Sequence, residues 1–159
     1  MYKRQALALQ EDFETMGYLV QVYTQTNQLD EARRLLERMT QVEPEHVNTF
    51  LNLANVCFVQ EDYPAMAEAA QKAIAIEEGN AMAHYLLGKA TDGQGDGIMC
   101  IAHLTKAILL KDDFTEARLL RAEALVKMQQ YKEASEDIEA ILSQDPDEEN
   151  ALLLRGRIK

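Results

Sequence analysis

The chain has 159 residues, 47% of them apolar, and a formal net charge of -11. That apolar share supports one domain with a sizeable core and argues against disorder. The acidic balance argues against a phosphate-backbone or anionic-lipid partner, which would need clustered Lys and Arg. Abundant Ala, Leu, Glu and Gln favour helix over sheet, because these side chains lose little rotamer freedom in a helix.

In chain order, the first stretch is Met1-Tyr2-Lys3-Arg4-Gln5. It is basic but precedes no apolar run, so it is no secretory signal. It fits no repeat and reads as foreign to the natural gene. Ala6 to Phe13 reads like Ala107 to Phe114, the tail of a second helix, and a short turn is expected to join it to the first full repeat. Residues 1–12 are therefore expected to be an extension plus the tail of a preceding repeat.

From residue 13 a period of 34 sets in, giving four predicted repeats at 13–46, 47–80, 81–114 and 115–148. Each holds two short amphipathic helices with apolar residues at three-to-four spacing. The predicted turns between them are 25–28, 61–62, 93–97 and 129–130. Residues 149–159 read as the first helix of a truncated fifth repeat. With both ends unfinished, the chain is expected to be a piece of a longer array, one repeat domain overall.

The period shows at individual slots. Leu19, Leu53 and Leu87 align, with Arg121 in the fourth place. Val20, Ala54, Gly88 and Ala122 are all small or modest, as are Ala32, Cys100 and Ala134, so paired helices can approach closely. Leu29, Tyr63, Gly97 and Tyr131 share a slot, and Pro44, Glu78, Asp112 and Pro146 close the repeats. A closing proline stops a helix by clash and by its missing donor. Arg121 is expected to lay its stem on the core and pair with Asp137 or Glu136 on its own second helix.

These slots resemble the tetratricopeptide repeat, whose signature is W-x2-L-G-x2-Y, then A-x3-F and a closing A and P. Leu53-Ala54 and Leu87-Gly88 match the leucine–glycine pair, Tyr23 the tyrosine, and Ala32-x3-Leu36 and Ala134-x3-Ile138 the second helix. No tryptophan stands at the first slot. The resemblance implies an all-α, right-handed superhelical solenoid of antiparallel helix pairs, with four full repeats and partial helices at both ends. A lone pair cannot cover its apolar face, so neighbours must stack.

Several segments invite a chemical reading that their context takes away. Asp92-Gly93-Gln94-Gly95-Asp96-Gly97 opens like a calcium loop, but the place of the bidentate glutamate is His103. The segment also sits where every other repeat has its turn. His46, His84 and His103 share no metal spacing with each other or with Cys57 and Cys100. The two cysteines read as buried, reduced thiols. With no signal or apolar span, they favour a cytoplasmic setting without requiring one. Phosphate loops, nucleophile elbows and zinc-protease motifs do not occur, so no catalytic residue, metal or cofactor is expected.

Function must then come from the architecture. In the family that the repeats resemble, first helices line a concave face. By that resemblance the candidate partner-binding residues are Gln21, Gln25, Asn48, Asn52, Asn55, Phe58, Tyr85, Lys89, Glu116 and Glu123. Amides donate and accept, which suits an extended peptide backbone. The carboxylate clamp of chaperone-tail binders is not matched, since Leu51, Leu86, Glu116 and Leu120 occupy its other places beside Asn55. The asparagine ladder of sugar-transferase arrays keeps one rung, Asn52, among Tyr18, Leu86 and Leu120. The expected role is a non-enzymatic scaffold that holds a protein or peptide segment in its groove. Alternatives are a substrate-recruiting arm of a larger enzyme or assembly complex, and end-to-end self-association.

Overall fold

A computed structural model describes the backbone of residues 2–159 and side chains from Asp12 onward. The described residues form helices and no strands. They fall into two compact units, residues up to Glu78 and residues from Gly79.

The N-terminal unit holds α1 (Tyr2–Gln25), α2 (Leu29–Val42), α3 (Val47–Val59) and α4 (Tyr63–Ile76). Each helix packs on the next. Its core is built by Val20, Leu35, Leu36, Met39 and Val56 around the fully buried Ala32. The turn expected near residue 12 is absent, and α1 runs unbroken from Tyr2 through Gln25. The physical reason is local: Ala, Leu, Gln and Glu fill the stretch, and no Gly or Pro interrupts it before Gly17.

The C-terminal unit holds α5 (Ala81–Gly93), α6 (Gly97–Leu110), α7 (Thr115–Lys127), α8 (Tyr131–Gln144) and α9 (Glu149–Ile158). Consecutive helices pack together, and α5 touches α7 as α7 touches α9. Gly88 lets α5 and α6 close in: a Cβ there would lie 2.8 Å from Leu104 Cγ. Leu104 is itself wholly buried, so the space cannot be made cheaply.

The sequence period has a backbone counterpart. First helices begin at Val47, Ala81, Thr115 and Glu149. The turns carry left-handed residues at Asn27, Glu61, Gly95 and Gln129, with φ of 60°, 58°, 80° and 62°. Caps recur as well. The His46 ring nitrogen accepts from the Thr49 N–H at 3.3 Å, and the Asn80 side chain from Ala83 N–H at 2.9 Å. Asp62 and Asp96 do the same for second helices α4 and α6, at 3.2 and 3.1 Å. Each cap satisfies one of the four free donors of its helix.

Arg121 pairs with Asp137, its Nε donating to Oδ2 at 2.7 Å and its second guanidinium nitrogen to Oδ1. Its remaining nitrogen donates to Thr105 Oγ1 at 3.1 Å. Arg118 joins the same carboxylate at 3.4 Å and ties down Asp112 at 2.8 Å. Asp137 is 2% exposed. A carboxylate so buried needs a bidentate partner to offset its desolvation.

Candidate functional site

In the N-terminal unit, α1 and α3 present parallel polar rows. Gln21, Thr24 and Gln25 lie on one helix, and Asn52 and Asn55, followed by the apolar Val59, on the other, at helical spacing. Between them opens a pocket of about 470 Å³, with Val20, Val56 and Leu29 among its walls. Val20 and Val56 belong to the core below, so the floor is apolar and fixed. Thr24 turns its hydroxyl back to the Val20 carbonyl at 2.8 Å, which leaves the four amides as the polar groups facing a ligand. No charged side chain lines this pocket. Four of the ten residues named from sequence, Gln21, Gln25, Asn52 and Asn55, are thus brought together and exposed.

Asn48 is exposed one turn before Asn52 on α3 and outside the pocket lining. Phe58 also lies outside it, half-buried with its ring 6.4 Å from that of Tyr63. The other four residues stand in the C-terminal unit. Tyr85 on α5 is half-buried, its ring 4.9 Å from that of Phe114. Lys89 places its ammonium 5.5 Å from the Tyr85 ring centroid, within reach of a cation–π attraction. Burial pulls the Lys89 ammonium below its usual range. Burial, then the charges of Glu116 and Glu123, push the Tyr85 phenol up. Glu116 is exposed in the first turn of α7 and Glu123 half-buried two turns on.

The Asp92–Gly97 segment spans the end of α5, the turn of residues 94–96 and the first residue of α6. Gly95 supplies its left-handed residue and Asp96 caps α6. Asp92 faces Lys127 at 3.5 Å. Among the described residues no group of three or more His, Cys, Asp or Glu side chains could hold a metal ion. Cys57 and Cys100 are free and buried. Burial pushes both thiols up, Cys100 to about 12, so neither is a thiolate nucleophile near neutral pH. No described helix is long and apolar enough to cross a membrane.

Sequence reasoning missed a second cavity, of about 540 Å³, at the α5–α6 turn. It is lined by Gly97, Ile98, Ala124, Lys127 and Met128 besides the turn itself. Gly97 standing in a slot of Leu29, Tyr63 and Tyr131 was its signal.

Comparison with known proteins places this architecture. Two sequence models of the tetratricopeptide repeat family match residues 19–81 and 101–158. DnaJ homolog subfamily C member 3 of Mus musculus is 36% identical over 70 residues, which is 44% of this chain and 14% of that protein's length. Among solved structures, MamA superposes with a TM-score of 0.80 at 23% identity, covering 91% of this chain and 85% of MamA. YrrB, described as a tetratricopeptide repeat protein with an unusual peptide-binding site, superposes at 0.77 and 20% identity, over 95% of this chain and 81% of its own. At these identities the structural likeness speaks for the fold. Sequence models, helix pairs and period agree: the chain belongs to the tetratricopeptide repeat family, an all-α helical-repeat protein of the protein-interaction kind.

Proposed function

We propose that the chain holds a short, extended protein segment against its first helices, with the α1–α3 pocket of the N-terminal unit as the principal seat. The observation that carries this reading is the uncharged lining of that pocket, in a chain where 27% of residues are charged. Gln21, Gln25, Asn52 and Asn55 can each donate and accept, matching the alternating groups of an extended backbone. Val20, Leu29, Val56 and Val59 supply the apolar seat for one aliphatic side chain. YrrB, with its peptide-binding site, supports the reading by likeness of fold. Asn48 would extend the contact along α3, and Phe58 would contribute only at its exposed edge; Tyr85, Lys89, Glu116 and Glu123 would form a separate contact on α5 and α7 of the C-terminal unit.

Selection from a displayed library of random peptides tests it. Enriched sequences should carry an aliphatic residue in an uncharged stretch. They should lose at least about tenfold in affinity, roughly 1.4 kcal/mol, when Gln21, Gln25, Asn52 and Asn55 are all changed to Ala. Equal binding by that variant would remove the pocket from the function.

One observation favours a second reading, a substrate-recruiting arm within a larger protein. The mouse relative matches over only 14% of its own length, so there the similar stretch is one part of something larger.

A further inference from the structure

The turn-side edge of the C-terminal unit differs from that of the N-terminal unit at equivalent slots. In the N-terminal unit the edge is closed by a polar clasp. Gln60 donates to Asp30 at 2.7 Å, and Arg33 donates to Gln60 at 3.1 Å and to Asp62 at 2.8 Å. Beside it Leu29 packs onto the core. Two periods on, Asp30 becomes Ile98, Gln60 becomes Met128, Arg33 becomes Ile101 and Leu29 becomes Gly97. The clasp cannot form, and the side chain that would fill the slot is gone.

At these slots lies the cavity of about 540 Å³ beside Gly97, Ala124 and Met128. Two of its apolar wall residues are open to solvent, Ile98 68% and Met128 37% exposed. Exposed apolar side chains beside a cavity suit a contact surface. Met128 is the adaptable wall, since a thioether on three rotatable bonds can shift to admit a guest. Asp92 and Asp96 sit at the mouth against one cation, Lys127, so the charged fringe is net acidic.

We propose that this cavity is a docking site for a protein segment presenting a large aromatic side chain next to Lys or Arg. The partner's ring would enter at the slot where the adjoining repeats carry Tyr63 and Tyr131 in place of Gly97, and the basic neighbour would meet Asp92 and Asp96. The proposal does not depend on the α1–α3 pocket, whose residues lie in the other unit.

The probe is a synthetic peptide with Lys-Phe-Lys in Gly-Ser flanks, titrated to millimolar concentration and monitored by amide NMR. Shifts are expected at Gly95, Gly97, Ile98 and Met128. Peptides with Lys-Ala-Lys or Glu-Phe-Glu should bind at least about tenfold more weakly. Gly97→Tyr restores the ring from inside. Its Cβ would lie 3.3 Å from Met128 Sδ, a contact a thioether can yield to, and the shifts should vanish. Should that variant fold poorly, Ile98→Asp with Met128→Gln rebuilds the polar rim at exposed positions and should also abolish them. The proposal is overturned if no shifts arise there, if they survive both sets of substitutions in folded protein, or if Glu-Phe-Glu binds as well as Lys-Phe-Lys.

Discussion

The two units solve one packing problem with different chemistry. At the edge of the N-terminal unit, Asp30, Arg33, Gln60 and Asp62 form a clasp that stays in contact with water, with the Arg33 and Asp62 side chains 27% and 37% exposed. In the C-terminal unit the polar network moves inward, where Arg121 and Arg118 hold an Asp137 side chain only 3% exposed. The slots of Asp30, Arg33 and Gln60 are held there by Ile98, Ile101 and Met128. A repeat therefore fixes backbone geometry while leaving each slot free to be polar, apolar or empty. The proposed docking cavity lies where slots depart from the period, at Gly97, Ile98 and Met128.

The largest expected effect separates the buried network from the exposed clasp. Asp137→Ala leaves two arginines facing a core without their carboxylate and should cost about 3 kcal/mol. Arg33→Met removes a solvent-screened pair and should cost less than about 1 kcal/mol. Urea unfolding midpoints of the two variants check the ordering, and equal losses would erase the distinction between the units.

Next comes helix approach. Gly88→Ala drives a Cβ to 2.8 Å from Leu104 and should cost about 2 kcal/mol by overpacking. At the same slot in the second repeat, Ala54→Gly should cost about 1 kcal/mol through lost helix propensity. Thermal midpoints would show both, and a neutral Gly88→Ala would mean that α5 and α6 can separate without penalty.

The turn slot should give opposite signs. Gly95→Ala forces a side chain into φ near 80° and should cost about 1 kcal/mol. Glu61→Gly and Gln129→Gly relieve residues at φ near 58° and 62° and should each gain about 0.5 kcal/mol. Chemical unfolding of the three variants is the check, and a loss in all three would show that left-handed strain is not what limits these turns.

The smallest effect concerns pH. The Asp62 carboxyl is held below its usual range, first by the hydrogen bond from Arg33 and then by the Ala65 N–H. A depressed folded pKa means that this stabilisation is present above the unfolded value of about 4 and fades as pH falls through the folded one. Arg33→Met should flatten the acid limb of the curve of midpoint against pH. An unchanged limb would assign acid sensitivity elsewhere.

Much of the fold is legible in the sequence because the period is written in slots that sterics enforce. Small residues at Val20, Ala54, Gly88 and Ala122, and stops at Pro44 and Pro146, reflect helix approach and helix termination. The pairing of Arg121 is legible too, since its head needs an acid within reach and Asp137 lies one helix on. Arg118 as a second partner is not, because exposed-looking arginines on a helix give no sign of which face a neighbour covers. The likeness of Ala6–Phe13 to the tail of a second helix misleads about α1, where local propensity and the lack of a breaker decide. Phe58 has the position on α3 of a groove residue, but its ring stands beside Tyr63 outside the lining. The cavity at Gly97 needs the third dimension, since Ala124 and Met128 reach it from the next repeat.

The decisive experiment is side-chain amide NMR of the intact chain, titrated with an uncharged peptide selected on it. Perturbation centred on Gln21, Gln25, Asn52 and Asn55 is the predicted result, with the Arg121–Asp137 region unchanged. Saturable binding that leaves those four amides unmoved and perturbs another face would contradict a peptide seat between α1 and α3.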